Sequence, residues 1–198
     1  MRYLFLLLAI FCPQLSQAET THKYDDLIKS ASNLYLPWDW KWYRAQLEQE
    51  SLLNPLAVSH VGAKGIAQFM PATWTDMQRE LKFTGSRNDV YKAVRAGAYY
   101  NSKLRKSWKW ERPEFDRRRL TFASYNAGLG NILKAQRYCQ SAISWNKIKQ
   151  CLHKVTGNHS KETIGYVETI EGRYKKQSCT SFACNNSRSY FFTVSKRW

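Results

Sequence analysis

Apolar residues recur along this chain at intervals of three and four, the spacing that gathers them on one side of a helix. The pattern predicts helices over roughly 22–34, 38–50, 72–82, 88–106, 114–127, 128–138, 144–152 and 160–176. Pro37, Pro71 and Pro113 each fall just before or at the start of one of these segments, where a missing N–H removes no bond from the helical ladder. Strand-like alternation is scarce until Ser189–Val194 (SYFFTV), inside a Ser-, Asn- and base-rich tail from about Lys175. The expectation is a mainly α chain without internal repeats.

One predicted helix carries a chemical signal. Trp40, Tyr43, Leu47 and Glu50 share a face, so Glu50 continues an apolar stripe, whereas Glu48 points nearly the opposite way. A carboxyl on an apolar face is partly desolvated, which favours its neutral form, and the negative end of the helix dipole pushes the same way. A glutamic acid kept protonated near neutral pH is what a general acid requires. From Ser51 to Thr75 there is then no Asp or Glu at all. Asn54-Pro55 favours an extended turn, and Gly62 and Gly65 permit backbone conformations closed to other residues. Gly62-Ala63-Lys64-Gly65 lacks the remaining residues and the preceding strand of a phosphate loop.

The N-terminus reads as a targeting segment. Arg2 precedes an apolar run from Tyr3 to Cys12, Pro13 follows, and Ser16-Gln17-Ala18 supplies small residues for cleavage after Ala18. The run is about half the length that spans a bilayer. Phe11 occupies the place before Cys12 where a lipid-attachment box needs a small residue. The expected product is a periplasmic or secreted chain with no stable membrane anchor. Of 31 bases and 15 acids only Arg2 is lost, leaving a net charge of +15. Such a surplus implies an anionic partner, with nucleic acid, anionic lipid and bacterial wall all qualifying on charge alone. No helix-turn-helix or zinc-finger signature supports nucleic acid. Four cysteines remain, Cys139, Cys151, Cys179 and Cys184, an even number in an exported chain. Three pairings are possible. The local pairs Cys139–Cys151 and Cys179–Cys184 are favoured over a crossed pairing or a zinc site, since no Cys-x-x-Cys is present.

The segment ESLLNPLAVSHVGAKGIAQFMPATW, from Glu50 to Trp74, resembles the first signature of the soluble-type lytic transglycosylases. Three further blocks follow in the family's order: VYKAVRAGAYYNSKL (Val90–Leu104), FASYNAGLGNI (Phe122–Ile132, with Ser124 in place of a usual Ala) and ETIGYVETI (Glu162–Ile170). The resemblance covers about residues 35–175 and implies a mainly α, lysozyme-like transglycosylase domain over 19–175. A signal peptide at 1–18 and a basic tail with a small Cys loop at 176–198 would flank it. It further implies cleavage of the β-1,4 bond between N-acetylmuramic acid and N-acetylglucosamine of peptidoglycan, leaving a 1,6-anhydro end, without metal or cofactor. A hydrolytic muramidase of the same fold and a non-catalytic wall-binding scaffold are the alternatives. The small size and export suggest service to a secretion, conjugation or phage machine.

The same resemblance assigns roles residue by residue. Glu50 matches the catalytic acid and base. Ser51 would orient the loop or the substrate's N-acetyl group. Ser59, Gln68 and Met70 match groove residues, Tyr125 and Asn126 the Tyr-Asn pair of the third block, and Glu162 and Tyr166 the closing block. Tyr166 is expected to reach Glu50 or the N-acetyl group. The acid-free stretch suits a mechanism with one carboxyl group, unless Asp76, Asp89 or Glu162 approaches through the fold. Trp108 and Trp110, among bases in KSWKWERP, are candidates for a groove rim, and Arg117, Arg118 and Arg119 for a base-rich surface that binds the wall, with a solvated helix face as the alternative.

Overall fold

Asp39 opens the helix that carries Glu50: its carboxylate accepts the Lys41 N–H at 3.0 Å, satisfying one of the free donors at the helix start. Leu52 closes the same helix in the left-handed conformation, with φ of 54°. Comparable local signals set the other boundaries in the computed structural model, which describes residues 22–179. Among them the helices are α1 (Asp25–Tyr35), α2 (Trp40–Ser51), α3 (Pro71–Leu81), α4 (Val90–Ser107), α5 (Glu114–Ala127), α6 (Leu129–Tyr138), α7 (Trp145–Cys151), α8 (His153–Thr156) and α9 (His159–Ser178). Pro71 is the first residue of α3, and Asp89 caps α4 through the Lys92 N–H.

The expected helices agree with these to within three residues at each end, except that α8 was not anticipated. It is a single turn between α7 and α9, too short to show periodicity. Helix α9 continues to Ser178, past the expected boundary at 175. Ser189–Val194 and the targeting segment 1–18 lie outside the described residues. No described helix is long and apolar enough to cross a membrane.

The core forms around α4, whose buried face is made of small residues: Ala93, Val94, Ala96, Gly97, Ala98 and Ser102. Small side chains let neighbours approach, and α1 and α5 both pack along it. At Gly97 a Cβ would lie 2.4 Å from the Tyr43 hydroxyl, which itself donates to the Val94 carbonyl at 2.7 Å. Helix α9 runs along α2 and α5. Glu48 ties α2 to it, accepting from Arg173 at 2.6 Å and Gln177 at 3.0 Å, with Arg44 at 3.3 Å on its own helix. Glu48 thus has a structural role on the face away from Glu50.

Two sequence expectations about surface residues are corrected. Trp108 is 1% exposed and belongs to the core instead of a groove rim. Arg117–Arg119 do not present one free basic surface, since each is half-buried and engaged by a different group. Arg118 lies over the Trp42 ring at 3.9 Å, Arg119 pairs with Glu171 at 2.5 Å, and Arg117 reaches the Trp110 carbonyl at 3.3 Å.

The expected disulfide Cys139–Cys151 is present, with Cα atoms 5.7 Å apart, joining the end of α6 to the end of α7. The second expected pair extends to Cys184, outside the described residues. Because Cys139–Cys151 restricts the unfolded chain, its replacement by two serines is expected to cost about 3 kcal/mol. Urea unfolding of the oxidised wild type against the double serine variant measures this, and equal midpoints would contradict it.

Candidate active site

The buried face of α2 delivers Glu50 to a groove. Tyr43 and Leu47 are fully buried, and one turn later the stripe emerges at half-buried Glu50. The left-handed Leu52 and Leu53 then turn the chain away. The groove has a volume of about 550 Å³. One wall is the 59–70 loop, with Ser59, Ala63, Gln68 and Met70; the other is α5 and α9, with Tyr125, Asn126, Glu162 and Tyr166.

A chain of hydrogen bonds ends on Glu50. The Tyr166 hydroxyl donates to Glu50 Oε1. It accepts in turn from Gln46 Nε2 at 3.1 Å, and Gln46 Oε1 accepts from Asn101 Nδ2 at 2.8 Å. Gln46 and Asn101 are wholly buried. The relay fixes Tyr166 as a donor towards Glu50, because the Gln46 amide already occupies a lone pair of its oxygen. Burial pushes the Glu50 carboxyl from its ordinary 4.5 up to about 8, against the downward pull of the Tyr166 hydrogen bond. Burial and the nearby Glu50 also hold the hydroxyls of Tyr43, Tyr125 and Tyr166 well above their usual range.

The loop wall is held by its own bonds. Ser51 Oγ donates to the Ile66 carbonyl at 2.9 Å, bracing the loop against α2; Ser51 does not line the groove. Ser59 Oγ accepts the Ala63 N–H at 3.0 Å. Gln68 adopts φ of 45° and donates through Nε2 to Gly65 O at 2.8 Å and Ala57 O at 3.2 Å, so its amide N–H groups brace the loop. The Tyr125 hydroxyl is given to Ala67 O at 2.7 Å, leaving the ring on the groove. Asn126 Oδ1 accepts from Thr163 Oγ1 at 2.8 Å. Met70 contributes an exposed apolar edge.

Sequence reasoning missed Arg87, whose Nη1 clips the two ends of the loop by donating to Gly62 O at 2.8 Å and Phe69 O at 2.9 Å. It also missed Gln46 and Asn101. Gln46 precedes Glu50 by one helical turn, and an amide on an otherwise apolar face was the available signal. Glu162 is the other carboxylate at the groove. It lies on the rim with its side chain 68% exposed, 3.6 Å from His159. Asp76 is paired with Arg79, and Asp89 with Lys92, neither at the groove. No described tryptophan lines it.

The model of the transglycosylase SLT domain matches residues 38–148, which include both the Glu50 helix and the loop wall. This chain belongs to that family. Among curated relatives, the membrane-bound lytic murein transglycosylase F of Desulfosudis oleivorans is 30% identical over 169 residues, covering 81% of this chain and 36% of the relative. That of Alcanivorax borkumensis is 32% identical over 133 residues, covering 65% of this chain and 27% of the relative. The chain therefore spans only about a third of the length of these relatives. The 70-kDa soluble lytic transglycosylase of Escherichia coli superimposes with a TM-score of 0.64 at 21% identity, over 79% of this chain and 25% of that one. An inactive mutant of lytic transglycosylase Slt from Pseudomonas aeruginosa superimposes with a TM-score of 0.60 at 19% identity, over 79% and 24%. The fold of this SLT-family chain is thus the mainly α, lysozyme-like transglycosylase fold.

Proposed function

We propose that this chain is a peptidoglycan lytic transglycosylase in which Glu50 acts first as general acid and then as general base. The observation that carries this is a half-buried carboxyl, raised to about 8, on the floor of an open groove with a tyrosine hydroxyl donating to it. At neutral pH Glu50 holds a proton and passes it to the glycosidic oxygen as the bond to the muramoyl carbon breaks. The substrate's own N-acetyl oxygen stabilises the positive carbon, a role for which, among the described residues, the groove offers only exposed Glu162 as a second carboxylate. Glu50, now ionised and still bonded to Tyr166, takes the proton of the muramoyl 6-hydroxyl as that oxygen closes on the same carbon. The proton is back where it began and no water is consumed.

Digestion of purified sacculi followed by mass analysis tests this directly. Anhydro-muramoyl ends one water lighter than hydrolysed ends are expected. Hydrolysed ends would replace the reading by a muramidase, and binding without release by a scaffold. Export, a periplasmic or secreted location and service to an envelope-spanning machine belong to the same proposal; the +15 charge would then meet the carboxylates of the wall's peptide stems.

The relay makes a separate prediction. Removing the Tyr166 hydroxyl takes a donor from the Glu50 carboxylate, so Tyr166→Phe should move the alkaline limb of kcat/KM upward from about pH 8. It should also lower kcat about tenfold, because the ionised intermediate state loses its partner. A pH–rate profile decides, and a limb that moves downward or not at all would remove the relay.

A further inference from the structure

Trp108 and Trp110 leave a question once neither belongs to the groove. They bound a second pocket, of about 360 Å³, between the end of α4 and α6, which shares no lining residue with the groove. Lys109, Arg112 and Arg137 also line it, with Gln136 beneath, and among the described residues no acid does. Arg112 is 8% exposed, and its guanidinium lies 5.1 Å from the Trp108 ring. Its Nε donates to Trp110 O at 3.2 Å and its Nη1 to Ile143 O at 2.9 Å, both neutral acceptors. Arg117 donates to the same Trp110 carbonyl. Asp116 is close enough for its charge to be felt at Arg112. One of its oxygens, however, holds the Trp145 N–H at 2.8 Å, and neither Arg112 nor Arg117 forms an ion pair among the described residues.

On the pocket wall the Trp108 indole N–H is buried with no acceptor among the described residues, and both bonds of Arg112 end on neutral carbonyls. A buried guanidinium without an ion-pair partner is costly, and fully buried donors are normally satisfied. An anion entering the pocket would supply the missing charge, and a planar carboxylate matches a guanidinium edge. Exposed Lys109 and Arg137 stand at the mouth, and Trp110, 52% exposed, offers a flat apolar wall for the body that carries the anion.

We propose that this pocket binds a peptide carboxylate, that of the stem peptides of peptidoglycan, at a place apart from the cleavage groove. The source of the carboxylate rests on the function proposed above. The test titrates the full chain, labelled at its tryptophan indoles, with a synthetic stem tripeptide of L-alanine, γ-D-glutamate and diaminopimelate. A carboxyl-amidated copy and inorganic phosphate are the comparison probes. The expected result is binding of the free tripeptide with shifts at the Trp108 and Trp110 indole signals. Amidation should abolish it, and Lys109→Gln with Arg137→Gln should weaken it at least about tenfold, since each removes a charge-assisted contact at an exposed position. Equal binding of the amidated peptide, shifts confined to other tryptophans, or an unaffected double variant would overturn the site. Phosphate binding as tightly as the tripeptide would overturn its assignment to a peptide carboxylate. The assay contains no glycan, so its outcome is separable from cleavage. Anhydro ends without tripeptide binding refute only the pocket, whereas tripeptide binding without anhydro ends refutes only the proposed reaction.

Discussion

Glu50→Gln is expected to lose at least about 10²-fold in turnover of sacculi while binding them nearly as well as the wild type. Glutamine keeps the size of the side chain and an oxygen to accept from Tyr166, but has no proton to give. The same substitution should stabilise the fold in a pH-dependent way. The Glu50 carboxyl titrates at about 8 in the folded protein against an ordinary value of 4.5. Between these limits the folded state holds a proton that the unfolded chain has released, so wild-type stability falls as pH rises through the window. Glutamine carries no such dependence. The variant should therefore melt with the wild type below pH 4.5 and at least about 4 °C above it beyond pH 8. Full activity in Glu50→Gln, or an equal loss in Glu48→Gln, would falsify the assignment. Melting curves that stay parallel across the range would show instead that Glu50 is not desolvated.

Gly65→Ala should damage the groove although Gly65 itself does not line it. Gly65 has φ of +81°, and a Cβ there would lie 2.0 Å from the backbone oxygen of Arg87. Backbone cannot rotate aside, so the loop or the Arg87 segment must move. That breaks the bonds from Gly65 N to Ala57 O (2.9 Å) and from Gln68 Nε2 to Gly65 O (2.8 Å). Left-handed strain and the clash together should cost about 3 kcal/mol or more, with at least a tenfold loss of activity as Ser59, Gln68 and Met70 shift. Gly62→Ala is the control. Its φ is similar at +85°, but nothing lies within 4 Å of the added Cβ. It should cost only the conformational strain, about 1 kcal/mol. Thermal melts of the two variants decide; equal effects would mean that the close approach of Arg87 has no energetic weight.

Much of this molecule was legible because its information is local. Helix positions followed from apolar spacing, and Glu50 was placed on the inward face of α2 by Trp40, Tyr43 and Leu47. The thirteen-residue loop of Cys139–Cys151 was short enough for neighbouring cysteines to meet. The motif blocks carried the family. What escaped were choices made between elements. Periodicity says that a side chain points inward, but not what it will meet there. The acceptor for Asn101 is 55 residues away at Gln46, and Gln46 meets Tyr166 across 120 residues. Burial in common, not sequence proximity, joined them to Glu50. Trp108 and Trp110 had the same composition around them, yet one is core and the other surface, because the end of α4 turns between them. Arg117, Arg118 and Arg119 formed one run of charge on paper. Successive residues on a helix project about 100° apart, so the fold distributed them among a carbonyl, an indole face and a carboxylate. The sequence by itself determined every described helix but the single turn α8, the family and the carboxyl that faces the groove. Only the tertiary structure decided which buried groups hold that carboxyl and which charges were left without partners, because desolvation and hydrogen bonding depend on what packs across from a residue.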